Sequence, residues 1–142
     1  MQELRISIVQ TNIVWENKQE NLRLLRDKLQ MLHGTTEIVV LPEMFSTGFS
    51  MNSRKLAEPI SGETIQTLKN WAGEFQFAIT GSFICSEQGS YYNRAFFITP
   101  EGEEYYYDKR HLFRMGHEAE HFSAGSRKVI IPYNGWNICL QV

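Results

Sequence analysis

The chain has 142 residues, 42% of them hydrophobic, with a formal net charge of −2 and a pI near 6.1. That balance suits one soluble domain with its own core. No run of Lys and Arg exceeds a pair and no apolar run approaches bilayer-spanning length, so nucleic-acid and membrane partners are excluded and a cytoplasmic location is expected.

The opening, MQELRISIVQT, alternates polar and apolar residues and carries Glu3, which predicts a strand over 4–10 rather than a leader peptide. Asn17 then caps a helix running to about His33, with Leu22, Leu25, Leu29 and Leu32 at helical spacing and Gly34 as its stop. Residues 37–41, EIVVL, read as a short strand covered on both faces and ended by Pro42. A polar loop at 46–53 follows, and a second helix begins after Ser61-Gly62, with Ile65, Leu68 and Trp71 along one side. Strands are expected at 77–85 and at 93–98, the latter paired with 104–107 through a turn at Pro100-Glu101-Gly102. The stretch 109–127 is irregular, and two last strands, 128–132 and 136–142, flank a turn at Tyr133-Asn134-Gly135. Cys85 and Cys139 both fall in apolar strand runs, which predicts buried, reduced thiols.

Strands alternating with helices predict an α/β fold, with helices on at least one face of the sheet. There is no internal repeat or linker. The final strand stops at Val142 with neither polar tail nor closing helix, so the polypeptide is expected to continue.

HEAEH, at 117–121, matches the H-E-x-x-H pattern in which two histidines on one helical face hold zinc and the glutamate serves a bound water. A zinc-dependent hydrolase is therefore one reading. Against it, the motif needs a third ligand, and beyond His121 there is no Asp, Glu or His; His111 upstream sits at no required spacing. A second constellation lies at the carboxyl ends of predicted strands, where α/β sheets gather ligands. Glu43 follows EIVVLP and Lys109 follows EYYYD, a base and an oxyanion donor on neighbouring strand ends.

LPEMFSTGF at 41–49, YDKRHLF at 107–113 and GWNICLQV at 135–142 together resemble the nitrilase, or carbon–nitrogen hydrolase, superfamily, and the likeness spans the whole chain. The wording DKRHLFRM is most similar to the omega-amidase branch, which hydrolyses 2-oxoglutaramate and 2-oxosuccinamate. The resemblance implies an αββα sandwich, of which residues 1–142 supply about the N-terminal half of a single domain. It implies a Glu–Lys–Cys set, with Glu43 as general base, Lys109 steadying the tetrahedral intermediate and Glu118 as a second glutamate beside the lysine. HEAEH then carries a site residue without a metal. The resemblance also implies no cofactor, an amide substrate, a pocket lined by Phe45 and His111, and a homodimer or larger assembly. For a substrate carboxylate, Arg110 and Arg114 are the candidate guanidinium partners.

The nucleophilic cysteine of this pattern would stand immediately after Val142. Either the polypeptide is a non-catalytic fragment or the next residue is a chemically modified cysteine; the second is favoured, since a random cut seldom falls one residue before the nucleophile.

Overall fold

A computed structural model describes residues 3–142; Met1 and Gln2, ahead of the strand expected over 4–10, lie outside the described residues. Five strands form one mixed sheet in the order β1 (Ile6–Ile8), β2 (Ile38–Val40), β3 (Ala78–Glu87), β4 (Ser90–Ile98) and β5 (Glu104–Asp108). The first three run parallel, and β3, β4 and β5 form an antiparallel meander. The two crossovers carry the long helices α1 (Lys18–Leu32) and, after the single-turn α2 (Ser53–Leu56), α3 (Glu63–Phe75). The chain is thus α/β, with a layered sandwich arrangement.

The predicted helices form where their caps dictate. The Asn17 side chain accepts the Glu20 backbone N–H at 3.1 Å, and Gly34, at φ 76°, releases the chain after α1. Leu22, Leu25 and Leu29 from α1 meet Ile65, Leu68 and Trp71 from α3 over Val39, Ile79, Phe83 and Phe96 of the sheet. Each such side chain, fully buried, is worth about 1.5–3 kcal/mol, so this helix-covered face is the main store of stability.

The other face carries Ile38, Ala78, Ala95, Phe97 and Tyr107, packed under Ile131 and Leu140 of a hairpin, β6 (Val129–Tyr133) and β7 (Trp136–Leu140). Asn134 and Gly135, at φ 47° and 78°, give the hairpin its tight turn, as NG predicts. No helix among the described residues is long and apolar enough to cross a membrane.

Three expectations are corrected. The strand expected over 4–10 is ordered as strand only at Ile6–Ile8, at the sheet edge, where one neighbour pairs it. The strands expected at 77–85 and 93–98 are longer and pair with each other through Gln88-Gly89, both at positive φ; Gln is no usual signal for that conformation. Cys139 is exposed, not buried: Ile138 and Leu140 turn towards the packed face, so the pleat sends Cys139 outward. Cys85, by contrast, is buried in the helix-side core, as expected.

Candidate active site

The site lies on the sheet face away from the long helices, where the carboxyl ends of β2, β3 and β5 share one rim. Glu43 and Lys109 do not stand on neighbouring strands, because β3 and β4 separate β2 from β5. Glu43 crosses the gap because the segment after β2 keeps pairing along β3. Leu41 N–H donates to Thr80 O at 2.7 Å, Met44 N–H to Ser82 Oγ at 2.8 Å and Phe45 N–H to Ser82 O at 3.3 Å. Met44 takes a left-handed φ of 46° with its side chain fully buried, which fixes the turn that presents Glu43. Asn21 of α1 braces the next loop by donating to Ser46 O at 2.8 Å.

Lys109 follows β5 directly, its backbone N–H donating to Asn93 O at 2.9 Å. Its Nζ donates to Glu43 Oε1 at 2.7 Å, stands 3.1 Å from Glu118 Oε2, and lies 5.2 Å from the centre of the Phe49 ring. Burial works against the ammonium, but hydrogen bonds and charge from Glu43 and Glu118 outweigh it, leaving the Lys109 pKa above its ordinary 10.5.

Glu118 is delivered by a loop pinned to the sheet at two points. Ser123 N–H donates to Tyr91 O at 2.8 Å and Gly125 N–H to Lys109 O at 2.9 Å, while Phe122 buries beside Met44 and Ile84. The Glu118 carboxylate is fully buried and saturated: Oε1 accepts from Asn93 Nδ2 at 3.0 Å, and Oε2 from Phe113 N–H at 2.6 Å and from Lys109. Glu43 differs. Its Oε1 takes both available donors, Lys109 Nζ and Asn93 Nδ2, each at 2.7 Å, and Oε2 has no hydrogen-bond partner among the described residues. The side chain is about one third exposed, so Oε2 is the oxygen free to take a proton.

Asn93, fully buried on β4, was not legible as a site residue. Its amide donates to both carboxylates, while Oδ1 has no partner among the described residues. An unmet buried acceptor costs about 1–3 kcal/mol, yet the flipped amide would set Oδ1 against two anions, so this orientation holds. The signal for it was a carboxamide inside the apolar run YYNRAFF, since a polar group in a core strand needs partners.

Two recesses meet at Glu43. A cleft of about 520 Å³ is bounded by Glu43, Lys109, Phe49, His111, Phe113 and Arg114. A recess of about 330 Å³ on the other side is closed by the end of β7 and Val142. His111 and Arg114 thus line the cleft, whereas Arg110 is exposed and outside it. Phe45, expected at the pocket, packs edge-on against Phe96 with ring centres 5.9 Å apart in the helix-side core, because its backbone is tied to β3.

HEAEH does not present its histidines together. His117 has a left-handed backbone, φ 58°, ahead of the single helical turn α4 (Glu118–His121), and its Nδ1 lies 2.9 Å from Glu120 Oε1. Glu118 faces inward to Lys109. The i, i+4 helical face that zinc requires is therefore not formed, and no group of three or more His, Cys, Asp or Glu among the described residues is placed to hold a metal.

The carbon–nitrogen hydrolase family matches residues 5–140. The omega-amidase YafV of Yersinia enterocolitica is 37% identical, the alignment covering 100% of this chain and 55% of that protein. A 2-oxoglutaramate amidase from Bacillus subtilis is 28% identical, covering 92% of this chain and 51% of that one. Among solved structures, XC1258 from Xanthomonas campestris, described as a CN-hydrolase superfamily protein with an arsenic adduct in the active site, superimposes with a TM-score of 0.96 at 37% identity, over 99% of this chain and 53% of that chain. The chain spans about half the length of the curated relatives it matches.

Proposed function

The chain belongs to the carbon–nitrogen hydrolase family, and from that premise we propose that residues 1–142 form the base-and-lysine part of an amidohydrolase domain acting on small 2-oxo dicarboxylic acid monoamides such as 2-oxoglutaramate and 2-oxosuccinamate. The observation that carries the proposal is the Lys109 ammonium held between two carboxylates, one of which, Glu43, keeps a free oxygen facing a cleft. The names of the relatives support the substrate class.

The nucleophile in this reading is a cysteine directly following Val142, at the recess that Val142 shares with Glu43. Glu43 Oε2 takes the thiol proton as sulfur bonds to the amide carbon, and the new oxyanion meets Lys109 Nζ–H. Collapse breaks the C–N bond, the proton held by Glu43 passes to nitrogen, and ammonia leaves a thioester. Glu43 then takes a proton from water, whose oxygen displaces sulfur and frees the acid, and passes that proton to the departing thiolate, which restores the thiol and the free carboxylate. Glu118 keeps Lys109 charged and aimed throughout. Arg114 on the cleft wall, rather than Arg110, is the guanidinium for the substrate carboxylate. The bond changes call for neither metal nor organic cofactor. Assembly as a homodimer or larger belongs to the same proposal and is read by light scattering.

The test measures ammonia release from 2-oxoglutaramate by the full-length protein. Glu43→Gln is expected to lower kcat by roughly 10²–10⁴-fold while the protein stays folded. Arg114→Ala is expected to raise KM for this anion and not for a neutral amide. Turnover by Glu43→Gln at the wild-type rate removes Glu43 from the mechanism.

A further inference from the structure

Among the described residues, Asn93 is the one that hydrogen-bonds all three charged members of the cluster. Its backbone carbonyl accepts the Lys109 N–H at 2.9 Å, and its Nδ2 donates one hydrogen to Glu43 Oε1 at 2.7 Å and the other to Glu118 Oε1 at 3.0 Å. Both amide hydrogens are spent on carboxylates, and the carbonyl end is left without a partner among the described residues. A side chain chosen only to fill the strand would be apolar here, as Ala95 and Phe97 on the same face are.

We propose that Asn93 is a positioning residue that makes Glu43 a one-sided base. By occupying Oε1 together with Lys109, it leaves Oε2 as the single oxygen open to a proton, and by holding Glu118 with its second hydrogen it keeps the two carboxylates apart on either side of the ammonium. This inference rests on the assignment of Glu43 as the base.

Neither Lys109 nor Glu118 replaces this function. Lys109 approaches both carboxylates with one ammonium that rotates freely about its last bond, whereas the planar amide has two donors at a fixed angle. Removing the amide leaves Glu43 free to turn about its side-chain torsions and to offer either oxygen. It also takes one donor from the carboxylate, which then holds a proton more tightly. The charged and titratable groups around Glu43 are Lys109 from the end of β5, Glu118 from α4, His111 and Arg114 across the cleft, and, on the side of the second recess, Cys139 of β7 and the cysteine proposed to follow Val142. An acid limb set by His111 would stay in place when Asn93 is changed, so the limb's movement reports on Glu43.

The experiment compares Asn93→Ala, Asn93→Ser and Glu43→Gln in the full-length protein, with 2-oxoglutaramate as substrate. For Asn93→Ala, kcat is expected to fall roughly 10- to 100-fold, with KM within about twofold of wild type. The acid limb of its kcat/KM profile should move up by about one pH unit. Asn93→Ser, with one hydroxyl hydrogen to serve one carboxylate, should fall between the two, and it decides the matter if Asn93→Ala does not fold. A wild-type kcat and acid limb in a folded variant overturns the inference. So does a lower kcat with the limb unmoved, which is what loss of packing alone produces. Glu43→Gln separates the two levels: if it retains turnover the base assignment falls and this inference with it, and if it is inactive while the Asn93 variants match wild type, only the role of Asn93 fails.

Discussion

Replacing Lys109 by Met removes the cation of the cluster and keeps most of its length. Glu118 is then an anion with no exposure and no opposite charge in contact, left with donors from Asn93 and the Phe113 backbone. At 3.1 Å and an effective dielectric near 20, the lost attraction to Glu118 is about 5 kcal/mol. The cost of burying the lysine is recovered, and the two remaining donors soften the loss. The attraction to Glu43 counts for less because that carboxylate is about one third exposed. A net destabilisation of about 3 kcal/mol follows, at the lower end of what breaking a buried pair costs. Urea unfolding of the wild type, Lys109→Met and Lys109→Met/Glu118→Gln measures it, and the double variant should regain most of the loss because no buried charge is left over. The Lys109 pKa is raised above 10.5 in the folded protein, so its contribution is present in full below that pH and is lost as pH climbs through the higher folded-state value. The gap between wild type and Lys109→Met should hence stay level from neutral pH to about 10 and narrow beyond. A single variant within about 1 kcal/mol of wild type, or a double variant no more stable than the single, refutes the dependence of the buried Glu118 on Lys109.

Gly125→Ala would set a Cβ 2.2 Å from the Asp108 carbonyl oxygen, a backbone atom unable to swing aside, so the loop must lift and draw on the Lys109 carbonyl that Gly125 N–H holds. The expected result is a loss of about 1–3 kcal/mol in stability and a fall of about 100-fold in kcat/KM, read by urea unfolding and ammonia release; unchanged values would show that the loop does not locate Lys109. Burial, opposed by the Arg94 charge, pushes the Cys85 thiol up from 9.0 to about 12. Iodoacetamide at pH 8 should therefore leave Cys85 unlabelled in the native protein and label it in urea, as peptide mass mapping will report; rapid native labelling would contradict its placement in the core.

How far the site could be read from residue order depended on where each member sits. Glu43 and Lys109 follow strand ends, where α/β sheets gather ligands, and both meet in the cluster. That two strands lie between theirs could not be seen, because the pairing of residues 41–45 along β3 depends on backbone hydrogen bonds that no side-chain pattern announces. Glu118 emerged only through family likeness, since locally HEAEH looks like a metal motif; the left-handed backbone at His117, which keeps the motif from forming one helix, is not announced by the residue type. Asn93 was hidden by its own strand, whose apolar neighbours made it look like an interruption. Phe45 was misplaced for the converse reason: a phenylalanine beside a site residue serves the core as readily as a pocket, and the tie to Ser82 decides for the core.

The sheet is local on one side and long-range on the other, and this orders the steps by which the molecule comes together. β3, β4 and β5 meet through short turns, so their loop-closure cost is small, while β1, β2 and β3 meet only after α1 and the α2–α3 segment have been spanned. The meander should form first and carry Asn93 and Lys109 as a joined pair. Glu43 lies 66 residues from Lys109 in the chain and can arrive only when β2 docks on β3. Pulse-labelled hydrogen exchange should accordingly protect β4 and β5 before β1 and β2; simultaneous protection would remove the order. If the order holds, a half-assembled molecule carries Lys109 and Asn93 already joined, and the Lys109 ammonium waits for Glu43 until the parallel strands close.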